Sequence, residues 1–327
     1  MSAALQREHF ASVLRRLLPA SAALQGNHLV LEQRAAAAEQ AQTNAAFTSK
    51  WGKYGESAER EKLFEMQRRW YLDLYGFASE AALGQFLRSR AVIFDAGCGL
   101  GYKAAWFATL APQSLVIGMD FSQAAAQAAR AYGHLQNLFF VQGDIASTSL
   151  AEGCIDYVSC DQTIMHTQDP DATFGELVRV TAPGGEFACY FYARKALPRE
   201  LLDDHFRRHC TTLSEAQLWD MSRQLTELGR RLSDLKVTLD VPAIPALGIK
   251  GGQYDLQRFV YWNFLKCFWS PELGEDTSVV TNFDWYSPSN ARRYTEAEVR
   301  ELARRAQLSV VHFHQEDACY SGRFRKG

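Results

Sequence analysis

Apolar and polar positions alternate along this chain in two rhythms. Five short apolar runs, Ala91–Phe94, Val116–Asp120, Phe139–Ile145, Ile155–Gln162 and Glu186–Tyr192, have the length and content of buried strands. The segments between them carry a helical period. Strands alternating with helices predict an α/β protein with a doubly wound, mostly parallel sheet. Further on, Thr295-x-x-Glu298 forms a capping box ahead of a helix whose apolar stripe is Val299, Leu302, Ala303 and Ala306. Leu308–Phe313 and Cys319–Phe324 read as two closing strands.

Two regions lie outside this rhythm. Residues 1–80 are expected to be a helical arm or lid, and residues 1–46 of it an Ala, Gln and Leu-rich helix or partly ordered segment. Within it Leu63, Met66, Trp70 and Leu74 recur at helical spacing and Gly76 supplies a stop, with Trp51, Tyr54, Tyr71 and Tyr75 adding aromatic surface. Residues 194–292 interrupt the sheet between its fifth strand and the last helix. The remaining divisions are a core at 81–193 and its C-terminal part at 293–327. In the insert, Leu218, Met221, Leu225, Leu228, Leu232 and Leu235 alternate three and four apart behind a Ser214-x-x-Gln217 cap. That seam suits one partner helix, from this chain or from a second subunit as a homodimer. Phe259–Tyr294 holds ten aromatics in thirty-six residues against a chain average of 12%, which fits either a core or a substrate-facing wall. Arg194, Lys195, Arg199 and Arg207 stand among Glu200, Asp203 and Asp204. That mixture fits a solvated ion-pair face or a clamp for an acceptor carboxylate.

Bulk properties narrow the partners. A net charge of −2 and the lack of a basic block give no field to draw nucleic acid. Met1–Ala20 has no long apolar core, so neither a secretory signal nor a membrane span is expected. Seven cysteines without a C-x-x-C pair favour reduced thiols in a cytoplasm and argue against structural zinc. His312, His314 and Glu316 lack an evident further ligand, so no metal is expected.

The chemistry concentrates in VIFDAGCGLGYKA, Val92–Ala104. Gly97, Gly99 and Gly101 alternate directly after a strand and ahead of a helix, which is a nucleotide-type pocket. A pyrophosphate fingerprint would need its third glycine at Tyr102. The leading Asp95 would repel a pyrophosphate and suits a ligand with a cationic amino group and a sulfonium. The run resembles the first motif of class I S-adenosylmethionine (SAM) methyltransferases. Asp120 follows nineteen residues past Gly101, as an acid that holds ribose hydroxyls would. Phe139–Ile145 and Ile155–Gln162 resemble the third and fourth motifs, and Pro183-Gly184-Gly185 the turn before the fifth strand.

The resemblance implies a class I fold with a seven-stranded sheet closed by an antiparallel hairpin, and SAM as cofactor. Asp95, Gly97, Cys98, Gly99 and Gly101 would cradle the methionine half. Asp120 and Phe121 would meet ribose and adenine, Asp144 and Ile145 the purine, and Asp161 and Gln162 the amino group or acceptor. Cys98 also reads as merely a small loop residue. His166 is the candidate base, or else a loop histidine bonded to Asp169 or a carbonyl. Tyr190 shares a strand face with Tyr192 and would orient an acceptor or the sulfonium. The implied activity is methylation of a small molecule, in keeping with specialised biosynthesis. Two alternatives stand beside it: use of the aminocarboxypropyl arm with release of methylthioadenosine, and a non-catalytic SAM-binding partner subunit.

Overall fold

The computed structural model describes residues 2–19, 22–31 and 36–327. Its strands are β1 (Leu24–Gln25), β2 (His28–Val30), β3 (Val92–Ala96), β4 (Leu115–Asp120), β5 (Leu138–Gln142), β6 (Ile155–Cys160), β7 (Thr181–Ala193), β8 (Thr238–Val241), β9 (Gly252–Asp255), β10 (Arg293–Tyr294), β11 (Leu308–Gln315) and β12 (Cys319–Lys326). The chain divides into two units. One takes in the chain up to Ala37, Met66–Ala193 and Arg292–Gly327; the other takes in Ala38–Glu65 and Arg194–Ala291. Residues 1–80 are thus shared between the units, and positions 20–21 and 32–35 of that arm lie outside the described residues.

The first unit is built on one sheet, ordered β1-β2-β5-β4-β3-β6-β7-β12-β11, with β10 pairing the end of β7. Neighbours from β2 through β7 are parallel. The β7–β12 and β12–β11 pairs are antiparallel, as the closing hairpin predicts. Among the described residues the sheet has ten strands, where seven were expected. The additional β1, β2 and β10 are two or three residues long, too short to leave a periodic signal. Central strands are mostly apolar because both faces are covered. Phe94, Ile117, Phe139 and Val158 enter one layer with Leu177 and Leu302. Ile93, Val116, Phe140 and Tyr157 enter the other with Leu74, Leu83 and Phe107. Helix Glu296–Arg305 starts at Thr295 with both capping-box bonds formed.

Helix Arg60–Tyr75 buries Phe64, Tyr71, Leu74 and Tyr75, a stripe rotated from the expected one, while Leu63, Met66 and Trp70 are half-buried.

The second unit consists of helices Ala38–Tyr54, Leu197–Cys210, Glu215–Asp234, Leu256–Asn263 and Glu275–Tyr286 with the antiparallel β8–β9 hairpin. The Ser214–Gln217 capping box is present. The leucine seam is not the buried face of its helix. Leu218, Trp219, Ser222, Thr226 and Gly229 are buried, while Leu228 and Leu235 stand 40% and 60% exposed. Close approach decides this. Trp219 stacks on Phe283 at 3.9 Å, Asn282 Nδ2 donates to Thr226 Oγ1 at 2.9 Å, and any Cβ at Gly229 would overlap the Cys267 carbonyl. Arg199, Asp203 and Arg207 are buried as well, so the 194–207 mixture is not a solvated face.

Candidate active site

Asp95, Asp120, Asp144 and Asp161 all lie at the carboxyl ends of β3, β4, β5 and β6, where ligands of open α/β sheets bind. The loop after β3 runs through positive φ at Gly97 (80°), Gly99 (51°) and Gly101 (79°). A side chain at Gly97 would run into Thr163, and a Cβ at Gly101 would come within 2.7 Å of Ala128 Cβ and Phe140 Cε1. Hydrogen bonds tie the loop to the end of β4. Gly97 and Cys98 amides donate to Met119 O at 2.7 and 2.9 Å, and the Gly99 amide donates to Asp120 Oδ2 at 2.9 Å. Helix Tyr102–Leu110 then begins at Gly101 without a side-chain cap, its positive end at the loop.

Asp95 is fully buried, and among the described residues neither carboxylate oxygen has a hydrogen-bond partner within ordinary reach. Burial pushes its carboxyl up to about 6; Lys103 opposes the rise, Asp161 and Asp120 add to it, and a weak contact with the Ala104 amide opposes it slightly. Lys103 Nζ sits 3.7 Å from Asp95 Oδ1 and 2.9 Å from Asp161 Oδ2. Burial alone would lower the proton affinity of Lys103, but the Asp161 and Asp95 charges outweigh it and raise it above its ordinary value. Asp161 also accepts from Tyr75 OH at 2.9 Å and from Gln162 Nε2 at 3.3 Å. Gln162 adopts φ 59°, uncommon without a glycine, and the next residue, Thr163, donates to Gly97 O at 3.3 Å. Behind this cluster Tyr71 OH meets Tyr157 OH at 2.6 Å and Ser159 Oγ at 3.0 Å.

Asp120 Oδ1 accepts from the Ser122 amide at 2.9 Å and its hydroxyl at 2.6 Å. Phe121 is half-buried. Asp144 Oδ1 accepts from the Ala146 amide at 2.8 Å, and Ile145 is buried. His166 ends the short 3₁₀ turn Ile164–His166 and is buried; its Nε2 lies 3.4 Å from Tyr192 OH. Tyr190 meets Tyr192 edge-on at 5.9 Å and Trp70 at 5.7 Å. Lys103, Tyr71 and Tyr75 were not singled out as site residues from the sequence. The signal for Lys103 was present: it is the one charged residue in the helix YKAAWFATL.

His314 Nε2 lies 3.2 Å from Glu316, and among the described residues no three ligand-type side chains gather for a metal. Among the same residues no helix is long and apolar enough to cross a membrane.

Residues 94–189 match the family model described as a methyltransferase domain. That segment is thus similar to methyltransferase domains. An uncharacterised methyltransferase of Schizosaccharomyces pombe is 36% identical over 106 residues, covering 30% of this chain and 38% of that protein. A malonyl-[acyl-carrier protein] O-methyltransferase of Methylovorus sp. is 31% identical over 156 residues, 45% of this chain and 48% of that one. The matched segments thus span less than half of these relatives. Among solved structures, the 1,6-didemethyltoxoflavin-N1-methyltransferase of Burkholderia thailandensis aligns over 90% of this chain and 93% of its own, with 14% identity and a TM-score of 0.44.

Proposed function

We propose that the whole chain is a SAM-dependent methyltransferase acting on a small molecule. The observation that carries this is Asp95: a fully buried carboxylate whose nearest cation, Lys103, stands 3.7 Å away, beside a loop whose Gly97 and Gly101 leave no room for side chains. That is a cradle for a cationic ligand, and the matched family supplies SAM. When bound, SAM supplies an electrophilic methyl on a sulfonium. Asp95 and Asp161 then accept from its ammonium, and the backbone of Gly97, Cys98, Gly99 and Gly101 follows the methionine chain. Asp120 takes ribose hydroxyls, Phe121 and Ile145 line the adenine, Asp144 accepts from its amino group, and Gln162 holds the Asp161 side chain in place.

His166, oriented by Tyr192, removes the acceptor's proton, and Tyr190 steadies acceptor or sulfonium. The chain's main contribution is alignment of the acceptor with the departing sulfur and exclusion of water. Residues 194–292 select the acceptor, in a cytoplasmic biosynthetic role suited to seven cysteines without a C-x-x-C pair. The exposed Leu228 and Leu235 flank supports a second copy as partner.

The test is calorimetry on the purified chain. Heat from SAM and S-adenosylhomocysteine is expected and none from NADH; silence from both SAM ligands overturns the proposal. Product analysis during turnover then decides the reaction. S-adenosylhomocysteine supports methyl transfer, whereas methylthioadenosine transfers the assignment to the aminocarboxypropyl alternative. Neither that alternative nor a non-catalytic subunit is favoured by the comparisons.

A further inference from the structure

We infer that three arginines toward the amino ends of the parallel strands form a surface site for a phosphate dianion, free or as the end of a monoester. Arg90 stands just ahead of β3, and Arg323 and Arg325 lie in β12. All three converge on one carboxylate, that of Glu186 in β7, which is buried. Arg325 is the register partner of Glu186, and its Nη2 donates to Glu186 Oε1 at 2.7 Å. Arg90 Nη2 stands 3.9 Å from the same oxygen, beyond hydrogen-bond reach. Arg323 Nε is 3.2 Å from Glu186 Oε2 but off the hydrogen-bond direction. Among the described residues the buried Nε atoms of Arg90 and Arg323 have no hydrogen-bond partner.

One carboxylate cannot answer three guanidinium groups, each a fork of N–H donors with no acceptor of its own. Asp156, in the neighbouring β6, has its Oδ2 spent on the Ala91 and Val92 amides at 2.7 and 2.9 Å. Even with Asp156 counted, the cations are in the majority. The rings beside them hold the guanidinium planes without neutralising them. Arg90 lies 4.4 Å from the Phe86 ring centroid and Arg323 lies 4.3 Å from that of Phe77. Half-buried surplus charge with unfilled donors is unfavourable alone. A phosphate dianion supplies both the missing charge and three acceptor oxygens, and guanidinium forks match its geometry. The side chains of Arg90, Arg323 and Arg325 keep 21%, 14% and 53% of their surface accessible, so an ion at the surface reaches them without an enclosed cavity. Asp95 and Asp161 stand at the carboxyl ends of β3 and β6, so this site shares no residue with the cofactor cradle.

The experiment is calorimetry on the full chain without cofactor at pH 7.5, with ionic strength held constant by sodium chloride. Its failure leaves the methyltransferase proposal standing, and the reverse also holds. Inorganic phosphate and glycerol phosphate are titrated, with nitrate as the monoanion control. Saturable phosphate binding, about tenfold tighter than nitrate, is expected. The tighter of the two phosphates shows whether the site takes the free ion or a monoester. Saturating S-adenosylhomocysteine should leave phosphate affinity unchanged. Arg90→Gln and Arg325→Gln should each weaken phosphate about tenfold. Failure of both phosphates to bind, nitrate binding as tightly, or loss of phosphate binding on adding S-adenosylhomocysteine overturns the inference. These outcomes are read on the unaltered chain and so do not depend on the variants folding. Unchanged phosphate affinity in both variants overturns it as well.

Discussion

Replacing Asp95 with asparagine separates what this residue does for the fold from what it does for the ligand. The carboxyl is fully buried and its pKa rises from 3.8 to about 6, burial being the chief cause and Lys103 already counted against it. At about 1.4 kcal/mol per pH decade, keeping Asp95 ionised above pH 6 costs the fold about 3 kcal/mol. The sign follows from proton binding. Between pH 3.8 and 6 the folded chain holds more protons at this site than the unfolded chain, so the stability Asp95 allows is fullest below that window and lost as pH rises through it. Asparagine has the same shape and cannot ionise. Asp95→Asn should therefore match the parent near pH 4 and exceed it by up to about 3 kcal/mol at pH 7.5, a rise of several degrees in Tm. Urea unfolding followed by circular dichroism at pH 4, 5, 6 and 7.5 reads the gap, and calorimetry should show SAM affinity down at least tenfold. A variant less stable than the parent at pH 7.5, or a gap that ignores pH, would refute the reasoning.

Three further outcomes are expected. Lys103→Met strips the buried partner from Asp161 and Asp95, so it should cost about 3–5 kcal/mol in urea unfolding at pH 7.5 and less at pH 5, where Asp95 takes up a proton. Gly101→Ala forces a side chain into left-handed backbone against Ala128 and Phe140; a loss of about 1–3 kcal/mol and weaker SAM binding should appear together. His166→Asn should cut kcat by about 10²–10⁴ with SAM affinity unchanged; full turnover would reduce the residue to a packing partner of Tyr192.

The strand runs and the glycine loop were legible because each is contiguous. Burial on both faces writes itself as unbroken apolar letters, and positive φ writes itself as Gly97, Gly99 and Gly101. Asp120 and Asp161 were legible because they end such runs. Lys103 was overlooked because its significance depends on Asp161, fifty-eight positions away, and a buried lysine looks like any other in the sequence. The Glu215–Asp234 helix misled for a related reason. Hydrophobicity points at the leucines, but Ser222, Thr226 and Gly229 are covered because small side chains let Phe283 and Cys267 approach closely. Strands β1 and β2 gave no warning because an added edge needs only backbone hydrogen bonds.

The threading of the chain has a consequence for how this protein comes into being. The unit bearing Ala38–Glu65 also needs Arg194–Ala291, and β7 waits for β12 as its neighbour. During synthesis the second unit cannot finish before Ala291 has left the ribosome, nor the first before β12 has, so Ala38–Glu65 and the flank of β7 must stay unpaired until then. A gene fragment cut to residues 94–189 would lack β12 and expose the long flank of β7, and it should aggregate rather than fold.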